Sequence, residues 1–294
     1  MQTRNMSDKF ISVISHVFIA IFAVICLLPF MLVVSGSITD EIAIIKNGFR
    51  LIPEKISFDA YKLVLNDNTI FNAYGVTIFV TVVGTILSML VTSAMSYALS
   101  LEHLKYRNQI SFYVYFTMLF SGGLVPSYLL ITNYLRMKNS IWVLIIPSLV
   151  NPWNMFLLRN FFKTVPKELS ESARIDGAND IYIWICIILP VSLPAVATVG
   201  LFYALGYWNE WFRAMLYIEK EELYPLQYLI MRVLRNVQFA DQIAAQSGIR
   251  IENIIPSYGV RLATTVLTIG PIIFAYPFVQ KYFVKGLMVG SIKG

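Results

Sequence analysis

Pro166-Lys167-Glu168-Leu169-Ser170-Glu171-Ser172-Ala173-Arg174-Ile175-Asp176-Gly177-Ala178-Asn179-Asp180 is a polar island in a chain that is 57% hydrophobic. Pro166 has a fixed φ and no N–H to satisfy, which suits the first turn of a helix. Glu168, Glu171 and Ile175 then fall at i, i+3 and i+7, on one face of that helix. Asp176-Gly177 ends it, because glycine takes φ > 0 without a Cβ clash. A second amphipathic helix is expected from about Asn179 to Ile188, broken at Leu189-Pro190, with Pro194 four residues further on. Two short helices at a sharp angle, set between apolar runs, form a handle that a soluble partner can grip.

The rest of the chain explains what that handle is attached to. Only 14% of the 294 residues are charged and the mean hydropathy is +0.66, whereas a soluble domain carries about a quarter charged residues. Apolar runs long enough to cross a hydrocarbon core of ~30 Å lie at about 10–35, 73–100, 110–133, 139–162, 189–216 and 258–280. The expected fold class is therefore an all-α polytopic membrane protein with six transmembrane helices in one integral domain, 1–294, with the polar loop at about 163–189. Pro29, Pro126, Pro147, Pro152, Pro271 and Pro277 interrupt or bound these runs, which is tolerated where neighbouring helices satisfy the freed backbone groups. The first run is too long for the apolar region of a cleavable signal peptide and long enough to span.

Net charge is +6, but the Lys and Arg residues are scattered through short loops with no basic stripe, so nucleic acid is not an expected partner. Cys26 and Cys186 fall in separate predicted helices and read as small buried hydrophobes, not as a disulfide or metal pair. Basic residues divide almost evenly between the two sides of the membrane. The longer loops (about 36–72 and 217–257) lie on one side, so the density of positive charge leans towards an inside N-terminus.

Two spans carry polar patterns. Thr77, Thr81, Thr85, Ser88, Thr92 and Ser96 line one helical face, together with Gly84. Two roles fit: close helix packing by small residues, or a hydroxyl-lined wall of a translocation path. Span five ends with Tyr203, Tyr207, Trp208, Asn209, Glu210 and Trp211. Aromatic faces against sugar C–H surfaces, with amide and carboxylate hydrogen bonds to hydroxyls, make this a candidate carbohydrate-facing cluster. Glu210 is the only acid inside a predicted span and should face a cavity or a partner. Arg213, three residues on, supplies a plain alternative: an ion pair at the membrane interface within an aromatic belt. The loop 217–257 is long for a connector and is expected to be functional or disordered.

Enzyme chemistry finds little support. Intramembrane hydrolases need paired acids, Ser/His pairs or ligating histidines at membrane depth. His16 and His103 are the only histidines, and neither has a carboxylate at ligand spacing in its own span. No catalytic residue and no metal ligand is assigned. The chain also lacks Gly-x-x-x-x-Gly-Lys-Ser/Thr, so it does not cradle nucleotide phosphates itself.

The order Glu171-Ser172-Ala173, Asp176-Gly177-Ala178, then Leu189-Pro190 resembles the Glu-Ala-Ala loop of ATP-binding-cassette importer permeases, with Ser172 where the family usually has Ala. Leu119-Phe120-Ser121-Gly122-Gly123-Leu124-Val125-Pro126-Ser127-Tyr128 and the C-terminal Gln280-Lys281-Tyr282-Phe283-Val284-Lys285-Gly286 through Lys293-Gly294 look like the carbohydrate-uptake branch. The closest likeness there is to permeases importing oligosaccharides or depolymerised polysaccharides. The resemblance covers roughly residues 10 to 294. It implies a type I importer permease subunit in a bacterial cytoplasmic membrane, both termini cytoplasmic, forming half of the path for an oligosaccharide or polysaccharide fragment. It implies a second homologous permease, two ATPase subunits and an extracytoplasmic solute-binding protein as partners. ATP and Mg would be bound by the ATPase subunits and no cofactor by this chain. Glu168, Glu171, Ser172, Ala173, Asp176, Gly177, Ala178, Leu189 and Pro190 would form the cytoplasmic coupling loop, with Glu171 meeting a basic residue of the ATPase. In maltose-type permeases the loop corresponding to 217–257 reaches the binding protein, and the tail, here with Lys285, Gly286, Gly290, Lys293 and Gly294, inserts between the ATPases. A different small solute, or a membrane assembly protein without transport, are the alternatives.

Overall fold

The computed structural model describes residues 6–65, 68–247, 258–270 and 273. All elements among them are helical, with one isolated antiparallel bridge, Thr39 to Ile56, and no strand. The chain divides into two compact units, Met1–Asn68 with Arg232–Pro271, and Thr69–Met231 with Ile272–Gly294.

The first unit begins with α1 (Met6–Ser37), which carries Pro29 inside it. Two short helices follow, α2 (Glu41–Asn47) and α3 (Asp59–Leu65). Glu41 is buried and its two carboxylate oxygens accept the N–H groups of Tyr258 and Gly259, each at 2.9 Å. Those amides open the helix over residues 258–270. A helix start leaves N–H groups without intrahelical partners and favours negative charge, so the buried acid is compensated. Ala60, Val260 and Ala263 form a small core beside it.

The second unit is built on α4 (Asn68–Ser100). Its core includes Val80, Leu144, Ile145, Leu158, Ile183 and Val199, all buried. The Thr/Ser face expected on this span is turned inward. Thr77 Oγ1 accepts the Leu226 N–H at 2.8 Å, Ser88 and Thr92 bond tyrosine hydroxyls, and Ser96 Oγ donates to Met155 O at 2.9 Å. Thr81 and Thr85 hydroxyls are buried without a partner among the described residues. Thr77, Ser88, Thr92 and Ser96 serve helix packing, because each short hydroxyl lets a neighbour approach and then bonds to it.

Only two described helices, Ile11–Ser37 and Asn68–Ser100, are long and apolar enough to cross a membrane unbroken, and counting each bent pair as one span brings the number to 5. The third expected run is α5 (Arg107–Leu119) followed by Leu124–Tyr134 at 112°, which contains α6 (Leu124–Leu129). The bend falls at Ser121-Gly122-Gly123, where Gly123 has φ +87°. The fourth is Ile141–Ser148 followed by α7 (Pro152–Phe162) at 48°, with Asn151 capping α7 by accepting the Asn154 N–H.

The second loop helix corrects the expected break at Leu189-Pro190. After α8 (Lys167–Ile175) the chain forms α9 (Asp180–Tyr182), widens into π turns over Ile183–Ile188 and runs on through α10 (Leu189–Val191). It bends by 89° only on entering α11 (Leu193–Trp208). Pro190 has no N–H for the carbonyl four residues back and crowds it, and the wider turns before it open the helix enough to carry the ring. Pro194 then sits in the first turn of α11, where its missing N–H is harmless, so Ser192 becomes the corner. After α12 (Phe212–Tyr217), most of the loop expected over 217–257 is in fact the helix α13 (Leu226–Ser247). The sixth expected run is helical over residues 258–270, and the tail motifs from Gln280 to Gly294 lie outside the described residues. Both cysteines are free, but they are exposed and not buried as expected. Among the described residues the helix faces that carry them lie open, and in a membrane chain such faces are apolar without being interior.

Candidate functional site

The polar island forms the handle that its sequence predicts. Pro166 precedes the first helical turn of α8 with φ −55° and ψ 131°, one residue earlier than expected. Helix α8 ends in a Schellman arrangement: the Ala178 N–H donates to Ala173 O at 2.9 Å and the Gly177 N–H to Arg174 O at 3.0 Å. Gly177 supplies the left-handed residue this requires, at φ +87°. Asn179 then caps α9, its Oδ1 accepting the Tyr182 N–H at 2.8 Å.

One ion pair joins the handle to the end of α4 and a second closes within it. Lys167 Nζ lies 2.7 Å from Glu102 Oε1, and Arg174 Nη2 lies 2.7 Å from Asp180 Oδ1. The Lys167 hydrogen bond holds the Glu102 carboxyl below its usual range. Tyr97 OH, near the end of α4, donates to the same Asp180 oxygen at 3.4 Å. Arg174–Asp180 closes across the Gly177 turn and ties the two loop helices together. Neither pair nor Tyr97 was foreseen from the sequence, although an Arg and an Asp six residues apart across a glycine turn were there to be noticed.

The handle has two faces. Ala173 and Ala178 are half-buried and pack against the main core, as does Leu189. Glu168, Glu171, Ser172, Asp176, Gly177 and Pro190 are exposed. Ile175 is 86% exposed, with Leu169 and Ile181 also open to the surface. Ser172, the departure from the family triplet, donates its hydroxyl to Glu168 O one turn back at 2.7 Å. Its polar group is thus absorbed locally and leaves a small surface like that of alanine.

The cluster at the end of α11 divides. Tyr203 and Tyr207 are buried and bonded into the core, and both also border the cavity that Glu210 lines. The Tyr203 hydroxyl accepts the Asn151 N–H at 2.9 Å and lies 2.7 Å from Thr92 Oγ1. Tyr207 donates to Ile145 O at 3.1 Å, so Ser88, 2.8 Å away, donates to it. Trp208 Nε1 is buried without a partner among the described residues. Asn209 Nδ2 donates to Leu205 O at 2.9 Å, which turns it back on its own helix. Trp211 stacks edge-on against Phe212. Glu210, whose side chain is only 12% exposed, pairs with Arg213 and also accepts that residue's backbone N–H. Glu210 and Arg213 line a cavity of about 260 Å³ with Tyr203, Tyr207, Asn151 and Asn154. The ion pair and the cavity, set out above as alternatives, coexist.

Comparison with known proteins decides the family. No family model matches the chain. Protein LplC of Bacillus subtilis (strain 168) is 40% identical over 292 residues, covering 99% of this chain and 97% of that protein. The chain belongs to the carbohydrate-uptake permeases of ATP-binding-cassette importers. The polygalacturonan/rhamnogalacturonan transport system permease protein YtcP of the same organism is 38% identical to this permease, over 98% of the chain and the full length of YtcP. The crystal structure of a bacterial ABC transporter involved in the import of the acidic polysaccharide alginate contains a similar chain, with TM-score 0.82 and 32% identity. The match covers 96% of this permease and all of that chain. This is a membrane protein of the transport class, all-helical and built as an importer permease.

Proposed function

We infer that this permease is one of two membrane subunits of an importer for an oligosaccharide or polysaccharide fragment, and that α8 is the element through which ATP hydrolysis drives it. The exposed face of α8, with Glu168, Glu171 and the fully presented Ile175, carries the inference. It is a mixed acidic and apolar surface whose direction is set by the Gly177 turn and by the packing of Ala173 and Ala178 on the core, as a docking element needs. A cleft with a basic residue in a separate ATPase subunit fits it, and that subunit supplies the ATP and Mg site. On this reading the loop and both termini lie in the cytoplasm of a bacterium, and six spans form half of the path beside a homologous permease. The solute-binding protein delivers the substrate from outside. Closure of the ATPase pair would move α8 as a rigid body and tilt the spans attached to it.

The substrate class is supported by the relatives, two of which are named for polysaccharide or polysaccharide-fragment transport. Within this chain the Glu210/Arg213 cavity, with the aromatic end of α11, is the candidate stretch of path. The test is to co-express the permease with its sister, the ATPase and the binding protein, then measure binding-protein-stimulated ATP hydrolysis in proteoliposomes with candidate oligosaccharides. An ATPase that neither co-purifies nor responds would leave a membrane assembly protein as the answer.

A further inference from the structure

Between α8 and the ends of α4 and α7 lies a cavity of about 420 Å³ with an unbalanced charge. His103, Arg107, Lys163, Lys167 and Arg174 line it against only Glu102 and Glu171. Lys167 and Glu102 are spent on each other, and Arg174 on Asp180. Arg107 and Lys163 remain against Glu171, with Arg159 next to them on α7, and none of the three cations has an ion-pair partner among the described residues. Both arginines are half-buried and anchored on the carbonyl end of α4, Arg159 Nε donating to Leu99 O at 2.9 Å and Arg107 Nη1 to Leu101 O at 3.4 Å. A guanidinium has five N–H groups in a fixed fork, so each keeps donors for an outside acceptor. Burial first, and then the like charges of Arg159 and Arg107, hold the Lys163 ammonium below its ordinary value. Glu102, already paired with Lys167, is the carboxylate whose charge reaches Arg107 and Lys163, so the three cations outnumber the acids beside them.

We propose that Arg107, Arg159 and Lys163 hold the phosphate of an anionic membrane lipid between the ends of α4 and α7, beneath the docking helix. The inference rests on the reading that this loop lies at the inner membrane surface. A phosphodiester fits the chemistry, since arginine forks match two phosphate oxygens at once. A lipid is favoured over free phosphate because the three residues end membrane-spanning segments and Leu101, Phe162, Val165 and Ile188 give the same cavity an apolar wall. The lipid would brace α8 from the cavity that Glu171 borders.

The test uses the assembled importer in mild detergent, with dioleoylphosphatidylglycerol or dioleoylphosphatidylcholine added and retention read by native mass spectrometry. The wild type should retain phosphatidylglycerol in preference. Retention should fall about fivefold for each basic side chain removed in Arg107→Gln and Lys163→Gln, with phosphatidylcholine unchanged and Arg107→Lys restoring most of the loss. Lys163 is exposed, so its variant keeps the experiment meaningful if Arg107→Gln folds poorly. Equal retention of the two lipids by wild type and variants overturns the proposal. So does displacement of phosphatidylglycerol by inorganic phosphate alone, which assigns the site to a free anion. Loss of the ATPase from the variants with lipid retention unchanged also overturns it, assigning the cations to an ATPase carboxylate. Failure of the coupling reading shows separately, as a wild-type permease that purifies without any ATPase while its lipid preference is still measured.

Discussion

The ring of Tyr207 lies directly on Gly84: a Cβ added to the glycine would stand 2.8 Å from Cε2 and Cζ and 2.9 Å from Cε1. The ring has little room to retreat, because its hydroxyl is bonded to both Ser88 and Ile145 O. Gly84→Ala is therefore expected to cost about 1–3 kcal/mol by overpacking. Gly75→Ala on the same helix meets nothing within 4 Å and is expected to be neutral or to stabilise by roughly 0.5–1 kcal/mol through helix propensity. Thermal unfolding of the two purified variants checks the contrast. Equal midpoints would mean that α4 and α11 do not pack as described.

Tyr203 joins three elements through one hydroxyl. Tyr203→Phe leaves the Asn151 N–H and the Thr92 hydroxyl buried without that partner, which costs about 1–3 kcal/mol. Thr92→Val removes one of the same bonds, so the double variant is expected to lose less than the sum of the singles. Additive losses in a double-mutant cycle would show that the two hydroxyls do not interact.

Glu171→Lys is expected to abolish substrate uptake with the permease at its normal level in the membrane. Reversal replaces attraction by a like-charge clash at the proposed ATPase cleft. Ile175→Asp should do the same by placing a charge where an apolar contact is proposed. Wild-type uptake by either variant, at matched expression, would remove α8 from the docking role.

Ser172→Ala is expected to change neither assembly nor uptake, and stability by less than about 0.5 kcal/mol. The hydroxyl lies at the surface and bonds only within its own helix. A clear loss of stimulated ATP hydrolysis would show that the partner reads this oxygen.

Gly177→Val separates fold from coupling. Nothing lies within 4 Å of a Cβ there, so the strain comes only from the backbone, held at φ +87°. A left-handed residue with a side chain costs about 1–2 kcal/mol, too little to unfold packed spans but enough to swing α8. The variant should insert and pair with its sister permease, yet lose the ATPase on a gel of the purified complex. Gly177→Asn, which tolerates the left-handed region better, should restore much of it. A fully assembled and stimulated Gly177→Val complex would refute the turn.

The sequence by itself determined the class, the handle and the handle's turn. Those depend on composition, on i, i+3, i+7 spacing and on the conformational freedom of one glycine, all of which are local. Local chemistry misplaced the break expected at Pro190, because the wide turns that carry the ring depend on how Ile183 and Ile188 are packed. Only the tertiary structure decided that the Thr/Ser face of α4 serves packing, since a hydroxyl stripe looks the same whether tyrosines or water meet it. It alone set Glu102 against Lys167 and brought Arg107 at the start of α5 to Arg159 and Lys163 at the end of α7. Such partners lie up to 65 residues apart in the chain, and no spacing rule reaches that far.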